Sequence, residues 1–298
     1  MRTIGCEVLT MPGVRPPGFR LPDATRPGAV RLQVRDLSRS LDYYRQVLGL
    51  HVLSDSPAAA TLGAADGRTL LRLEAPGGVR PAQRGALGLF HFAILLPDRA
   101  ALGRFATHVS RTAVRVSASD HRVSEALYLW DPDGLGIEVY ADRPRDTWQS
   151  VGSQLVMTTE PLDLADVRAA GGGDAWTGMP PGTTIGHVHL HVGDLDAAEA
   201  FYHRALGFDK TVWDYPGALF LSAGGYHHHL GTNTWSDGPP AAPDEARLVD
   251  WELIVAGPDP AAAAAESVRA AGYFVERSDD GWIAADRWGT QVRIATGA

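Results

Sequence analysis

A repeat is the feature that most limits what this chain can fold into. Ala29 to Leu50 reads AVRLQVRDLSRSLDYYRQVLGL, and Gly186 to Phe208 reads GHVHLHVGDLDAAEAFYHRALGF. Both pass from an alternating strand through an Asp-Leu pair (Asp36-Leu37, Asp194-Leu195) into an amphipathic helix that carries Tyr44 or Tyr202 and closes on Leu-Gly. Aspartate accepts hydrogen bonds from first-turn amides, so both positions suit helix N-caps. Two weaker copies follow the same order. His91 to Pro97 is a strand, HFAILLP, followed by a helix through Leu102, Phe105 and Val109. Trp251 to Val255 is a strand, followed by an Ala-rich helix from about Pro260 to Ala271 and strands near 273–275, 281–285 and 291–294. Each unit is β-α-β-β-β, and the order is two units, a linker, two units.

The linker, about Arg143 to Thr183, holds Gly171-Gly172-Gly173 and a piece from Asp163 to Ala170 that suits a short helix. Residues 1–28, rich in Pro and Gly, read as an irregular lead-in. A hydrophobic content of 45% over 298 residues is enough for a sizeable core. The net charge of −8, with Lys210 the only lysine and no basic run, argues against a general nucleic-acid binder. Cys6 is the sole cysteine, which excludes an internal disulfide framework and a Cys-based zinc site. No apolar stretch reaches the length of a membrane span and no secretory leader pattern opens the chain, so a cytoplasmic protein without membrane contact is expected.

Chemistry concentrates in Ser119 to Tyr140, SDHRVSEALYLWDPDGLGIEVY. It reads as a strand from Ala126 to Trp130, a turn on Asp131-Pro132-Asp133-Gly134, and a second strand through Gly136 to Tyr140. Strand side chains repeat with period two, so Gly136, Glu138 and Tyr140 share a face. A carboxylate there is costly to bury unless it is paired or binds a cation. By the same period His187, His189 and His191 share one face of their strand.

His121, a short gap, Leu127-Tyr128, then Asp131-Pro132-x-Gly134 and Glu138 is similar to the signature of the extradiol ring-cleaving dioxygenases. These belong to the vicinal-oxygen-chelate superfamily, with the glyoxalases and bleomycin-resistance proteins. Only Ser119, two before the His, departs from the pattern. The resemblance spans about residues 29 to 296 and implies an α+β fold of four βαβββ modules whose sheets curl into half-barrels around a metal cavity. Two domains are expected, 29–142 and 184–298, joined by a linker at 143–183.

In that superfamily ligands come from the start of a module's first strand and the middle of its last. Aligned on the Asp-Leu pair, the first-strand positions are Ala29, His91, His187 and Asp250. The last-strand positions are Leu71 or Arg72, Glu138, His229 and Arg293. An arginine cannot ligate a cation and opposes it. The resemblance therefore implies that modules two and three pair across the linker, with His91, His187 and Glu138 holding the metal. Two imidazoles and one carboxylate on a face of Fe(II) leave room for both oxygens of a catechol and for dioxygen. Mn(II), Ni(II) and Zn(II) are alternative ions. His229 is expected as the acid–base group, ahead of its neighbours His227 and His228. His121 and Tyr128 are expected to bond substrate oxygens, with His189 and His227 lining the pocket.

The implied activity is extradiol cleavage of a catechol-type ring with dioxygen, a step in breaking down aromatic hydrocarbons. Exposed strand edges favour a homo-oligomer. A glyoxalase-like lyase or isomerase remains open if His229 is a fourth ligand, as does a metal-free binding protein of the resistance kind. His51, His108 and His203 read as surface or packing residues, Tyr128 has a second reading as a core aromatic, and Trp213 and Trp235 line the pocket or fill core.

Overall fold

The computed structural model describes residues 13–297. Cys6 lies outside the described residues, as does the start of the lead-in. Module one comprises β1 (Arg26–Gln33), α1 (Leu37–Gln46), β2 (His51–Asp55), β3 (Ala59–Gly63) and β4 (Thr69–Glu74). Module two comprises β5 (Gly88–Leu95), α2 (Arg99–Val109), β6 (Ser117–Asp120), β7 (Ser124–Trp130) and β8 (Gly136–Asp142). The linker carries the short pair β9 (Ser150–Val151) and β10 (Gln154–Leu155), then α3 (Leu164–Ala170). Module three runs β11 (Thr184–His191), α4 (Leu195–Ala198), β12 (Asp209–Val212), β13 (Ala218–Ser222) and β14 (Leu230–Asn233). Module four runs β15 (Arg247–Ala256), α5 (Pro258–Ala270), β16 (Phe274–Ser278), β17 (Gly281–Ala285) and β18 (Gln291–Gly297).

The aspartates of the repeat cap their helices, Asp36 accepting from the Arg39 amide and Asp194 from the Ala197 amide. Asp98 does the same for Ala101 in module two. Module four has Gly257 at that place and starts its helix on Pro258, which needs no amide there. The helix of module three, α4, departs from expectation, since beyond Ala198 it continues as a π-helical segment, Glu199–Ala205.

The modules assemble across the linker. One eight-stranded sheet has the order β12-β13-β14-β11-β5-β8-β7-β6 and joins modules two and three. The other, β16-β17-β18-β15-β1-β4-β3-β2, joins modules one and four. The division into 29–142 and 184–298 follows the chain, whereas each sheet takes one module from either side of the linker. Antiparallel first strands meet at each sheet centre, β5 with β11 and β1 with β15. The helices and both sheets share one hydrophobic core that includes Leu32, Tyr44, Phe92, Phe105, Val188 and Trp251.

Consecutive modules are tied by the tyrosine of the repeat. Tyr44 donates to Asp131 Oδ2 at 3.0 Å, and Tyr202 donates to Asp286 Oδ2 at 2.9 Å. Each aspartate opens the turn before a last strand and uses its other oxygen on two turn amides: Asp133 and Leu135 for Asp131, Trp288 and Thr290 for Asp286. Gly134 sits at φ +92 in the first of these turns, a conformation open to glycine. The helix of one module thus fixes the turn that launches the last strand of the next.

Candidate metal centre

β5, β8 and β11 lie side by side, β8 parallel to β5 and β11 antiparallel to it. Their registers bring three polar side chains to one point under the sheet. His91 Nε2 is 3.0 Å and His187 Nε2 is 3.1 Å from the same oxygen, Glu138 Oε2. The two imidazole nitrogens are 3.3 Å apart. All three side chains are buried, and among the described residues they form the one cluster of His, Cys, Asp or Glu able to hold a metal ion.

The spacing is a test of fit. With bonds of about 2.1 Å, ligand atoms at right angles around a metal lie about 3.0 Å apart, against about 3.4 Å for tetrahedral angles. The three edges, 3.0, 3.1 and 3.3 Å, fall between these values, so the three atoms fit around one ion. The donor set agrees, being two imidazoles and a carboxylate. Burial drives both His91 and His187 down toward the neutral, ligating form. Burial opposes ionisation of Glu138, but the imidazoles of His187 and His91 hold its pKa well below the usual carboxylate range.

His91 and Glu138 of the triad lie at the floor of a cavity of about 260 Å³ whose walls are mainly apolar, and His187 is buried behind them. Phe90, Phe220, Tyr215 and Trp235 surround the space above this floor, and no arginine or lysine lines the cavity. The linker supplies Met157, Thr158 and Thr159. It is laid against β6 by paired backbone hydrogen bonds between Asp120 and Glu160.

Both residues of the signature upstream of the turn reach this cavity. His121 Nδ1 donates to the Thr158 carbonyl at 2.6 Å, so its Nε2 is the acceptor for the Tyr128 hydroxyl at 2.7 Å. Tyr128 stands opposite Glu138 in the β7–β8 register. Burial first, then the nearby Glu138 carboxylate, raises the Tyr128 pKa well above its ordinary value and keeps the hydroxyl protonated.

The histidines of Tyr226-His227-His228-His229 are arranged otherwise than the period-two count indicates. His228 lines the cavity and lies against His187, ring centroids 4.0 Å apart. His227 is fully buried behind it, Nδ1 to Nδ1 at 2.7 Å, and donates from Nε2 to Asp142 Oδ1 at 2.9 Å. Since His227 spends its proton on Asp142, its Nδ1 accepts from His228, and His228 keeps an unprotonated Nε2. His229 does not reach the cavity. Its Nδ1 accepts from the Ala223 amide at 3.2 Å, its ring stacks on Tyr226, and burial lowers its pKa to about 3. Of the three histidines, His228 and not the expected His229 or His227 lines the cavity, and His227 lies behind it against Asp142.

The last-strand assignment of His229 is also corrected by register. Glu138 pairs with Ala93, two residues beyond His91. The equivalent pair in module three is His189 with Gly231, so Gly231 holds the place of Glu138. A Cβ there would come within 2.8 Å of the His189 ring, which fills the space and lines the cavity. In modules one and four the equivalent pairs are Arg31 with Arg72 and Glu252 with Arg293. Asp250 is bridged by Arg31 and by Arg293, the latter at 3.1 Å, while Arg72 bridges Glu252. Ion pairs thus occupy in the second sheet the place the triad holds in the first.

A family model described as the Glyoxalase/Bleomycin resistance protein/Dioxygenase superfamily matches residues 26–139 and 184–287. The chain belongs to that superfamily. A catechol-2,3-dioxygenase of Bacillus subtilis (strain 168) is 43% identical over 268 residues, covering 88% of this chain and 94% of that protein. Among solved structures, a Bacillus subtilis protein provisionally described as a dioxygenase superposes with TM-score 0.66 at 13% identity, over 94% of this chain and 86% of that one. Glyoxalase I from Zea mays superposes with TM-score 0.55 at 20% identity, over 90% of this chain and 91% of that one. At such identities these two likenesses concern the fold. The superfamily's paired modules are the two sheets described above.

The remaining aromatic and histidine positions sort by contact. Trp235 lines the cavity, whereas Trp213 is outside it, with the Lys210 ammonium 5.9 Å from its ring centroid. His203 donates to the Phe208 carbonyl and His108 to that of Gln46, both packing roles. His51 lies on exposed β2. Asp142 and Tyr226, which hold His227 and Tyr140 in place, carried no pattern in the sequence. No helix among the described residues is long and apolar enough to cross a membrane.

Proposed function

We propose that this chain is an Fe(II)-dependent extradiol dioxygenase that opens the ring of an uncharged catechol with dioxygen. The observation that carries the reading is the convergence of His91, Glu138 and His187 at one point, with His91 and Glu138 opening onto an apolar, aromatic-walled cavity. The 43% identity to a catechol-2,3-dioxygenase over most of both chains supports it. His91, His187 and Glu138 would hold the iron, which supplies, when bound, a common point of attachment for the two diol oxygens and dioxygen.

The protein's own groups supply proton handling and shape. His228 Nε2 is a free acceptor facing the cavity and takes a proton from a diol hydroxyl, which His227 and Asp142 favour by fixing its tautomer and stabilising the imidazolium. His121 orients the Tyr128 hydroxyl, leaving the phenol oxygen's lone pairs for a second substrate hydroxyl. Phe90, Phe220 and Trp235 bury the ring and exclude water. Because no cation lines the cavity, a carboxylate on the ring would be buried unpaired, which disfavours such substrates. A glyoxalase-like reaction with a fourth ligand loses its candidate in His229, which is bonded to Ala223 elsewhere.

Anaerobic reconstitution with Fe(II), then catechol and air, tests the reading. Uptake of one dioxygen per catechol with growth of a yellow ring-fission product is expected. Stoichiometric metal binding with no oxygen uptake would reject it.

A further inference from the structure

A second cavity, of about 570 Å³, lies on the other side of Phe90 and Trp130, which line both spaces. Phe90 is the partition. Its ring centroid is 4.8 Å from that of His91 and 4.7 Å from that of His191, which lines the second cavity. The two spaces have opposite chemistry. The metal cavity is lined by no cation; the second is lined by Arg84, Arg115 and Arg247 and by no carboxylate.

Among the described residues none of these three arginines forms an ion pair. Arg247 is half-buried at the start of β15, and its Nε is buried without a hydrogen-bond partner. Its Nη1 donates only to the Leu248 carbonyl, at 3.3 Å. The carboxylate that acts on it, Glu74, is already bonded by Arg31 at 3.1 Å. A desolvated guanidinium left this way is a donor set without an acceptor, and planar guanidinium matches a carboxylate.

The reaction proposed above converts a neutral molecule into an anion. One ring C–C bond beside a hydroxyl-bearing carbon breaks, the O–O bond breaks, and both oxygen atoms end in one open-chain product. The electrons that reduce dioxygen come from the diol, which becomes an enol bearing an aldehyde and a carboxylic acid, and the acid loses its proton to water. Apart from the iron that must be freed for the next turnover, no arginine or lysine of the cavity where it forms is available to the product's carboxylate.

We propose that the arginine cavity is a carboxylate-binding site that receives the open-chain product across Phe90. The site rests on the dioxygenase reading for its physiological ligand, but its binding chemistry is tested without that reaction.

The probe is cis,cis-muconate, a stable six-carbon dicarboxylate, titrated calorimetrically into the metal-free full chain and into Arg115→Gln and Arg247→Gln. Each arginine removed is expected to weaken muconate by about tenfold, the loss of one charge-assisted pair. Arg115 is exposed, so its variant folds even if Arg247→Gln does not. With the iron-loaded enzyme, muconate is expected to inhibit without competing with catechol. Absence of binding, equal affinity in Arg115→Gln and wild type, or purely competitive inhibition would overturn the proposal. Ring cleavage by the wild type is read separately, so a failure of the reaction and a failure of the arginine site give different results.

Discussion

Gly186→Ala tests how tightly the metal-site scaffold is packed. Gly186 directly precedes His187, and a Cβ built on it would stand 2.7 Å from Tyr140 Cζ and 3.0 Å from Cε1, closer still to the hydroxyl. Tyr140 cannot swing aside freely. It is fully buried, its hydroxyl meets Tyr226 Oη at 2.6 Å, and Tyr226 in turn donates to Asp142 Oδ1 at 3.0 Å. Overpacking of a tight interior costs about 1–3 kcal/mol. Losing the buried Tyr140–Tyr226 hydrogen bond adds about 1 kcal/mol. At about 2–4 °C per kcal/mol for a chain approaching this size, the melting temperature should fall on the order of 10 °C. The assay is thermal unfolding of metal-free protein in chelator, with Gly18→Ala as control, since nothing lies within 4 Å of a Cβ at Gly18. Adding Tyr140→Phe should restore only part of the loss, because the ring carbons still collide. A Gly186→Ala protein melting within about 1 °C of wild type would refute the packing argument.

Three further outcomes follow from the site. His228→Ala should lower kcat by about 10² to 10⁴, the usual range for a lost acid–base group, with iron content unchanged by elemental analysis; an equal loss in His229→Ala would contradict the assignment. The pKa of His229 is lowered from its ordinary 6.5 to about 3 by burial, so the unfolded chain binds the extra proton between those values. Stability from this group is present above about pH 6.5 and is lost as pH falls, at about 1.4 kcal/mol per pH unit until about pH 3. Urea unfolding at pH 4 to 6 should show a shallower pH slope in His229→Phe by that amount, and an unchanged slope would count against it. Asp250→Ala should cost about 2–3 kcal/mol by leaving Arg31 and Arg293 without their shared partner, discounted because both arginines retain solvent contact.

Much of this architecture was legible in the residues. Asp36 and Asp194 announce their helices because a capping aspartate has a local cause, and Glu138 announces itself because a carboxylate in an apolar strand needs a partner. The pairing of module two with module three followed from Arg72 and Arg293, which cannot ligate a cation. His228 was not legible. Gly224 and Gly225 both adopt positive φ, and β14 begins only at Leu230, so residues 226–229 turn before the strand and a period-two count does not apply to them. The module-three equivalent of Glu138 was hidden because it is Gly231, a residue whose role is to leave space for His189. The linker's share of the cavity wall arises from long-range pairing of Glu160 with Asp120, which no local pattern encodes. Tyr44 and Tyr202 were visible as repeat members, but their partners Asp131 and Asp286 are in the following module and emerge only from packing.

The central claim is that one metal site is built across modules two and three while the equivalent place in modules one and four is filled by ion pairs. Iron stoichiometry measured together with catechol turnover in Glu138→Ala, His187→Ala and Asp250→Ala tests it most directly. The account expects about one iron per chain and yellow product in wild type and Asp250→Ala, with both lost in Glu138→Ala and His187→Ala. Retention of iron and turnover in Glu138→Ala, or their loss in a folded Asp250→Ala, would place the site in the other sheet and contradict it.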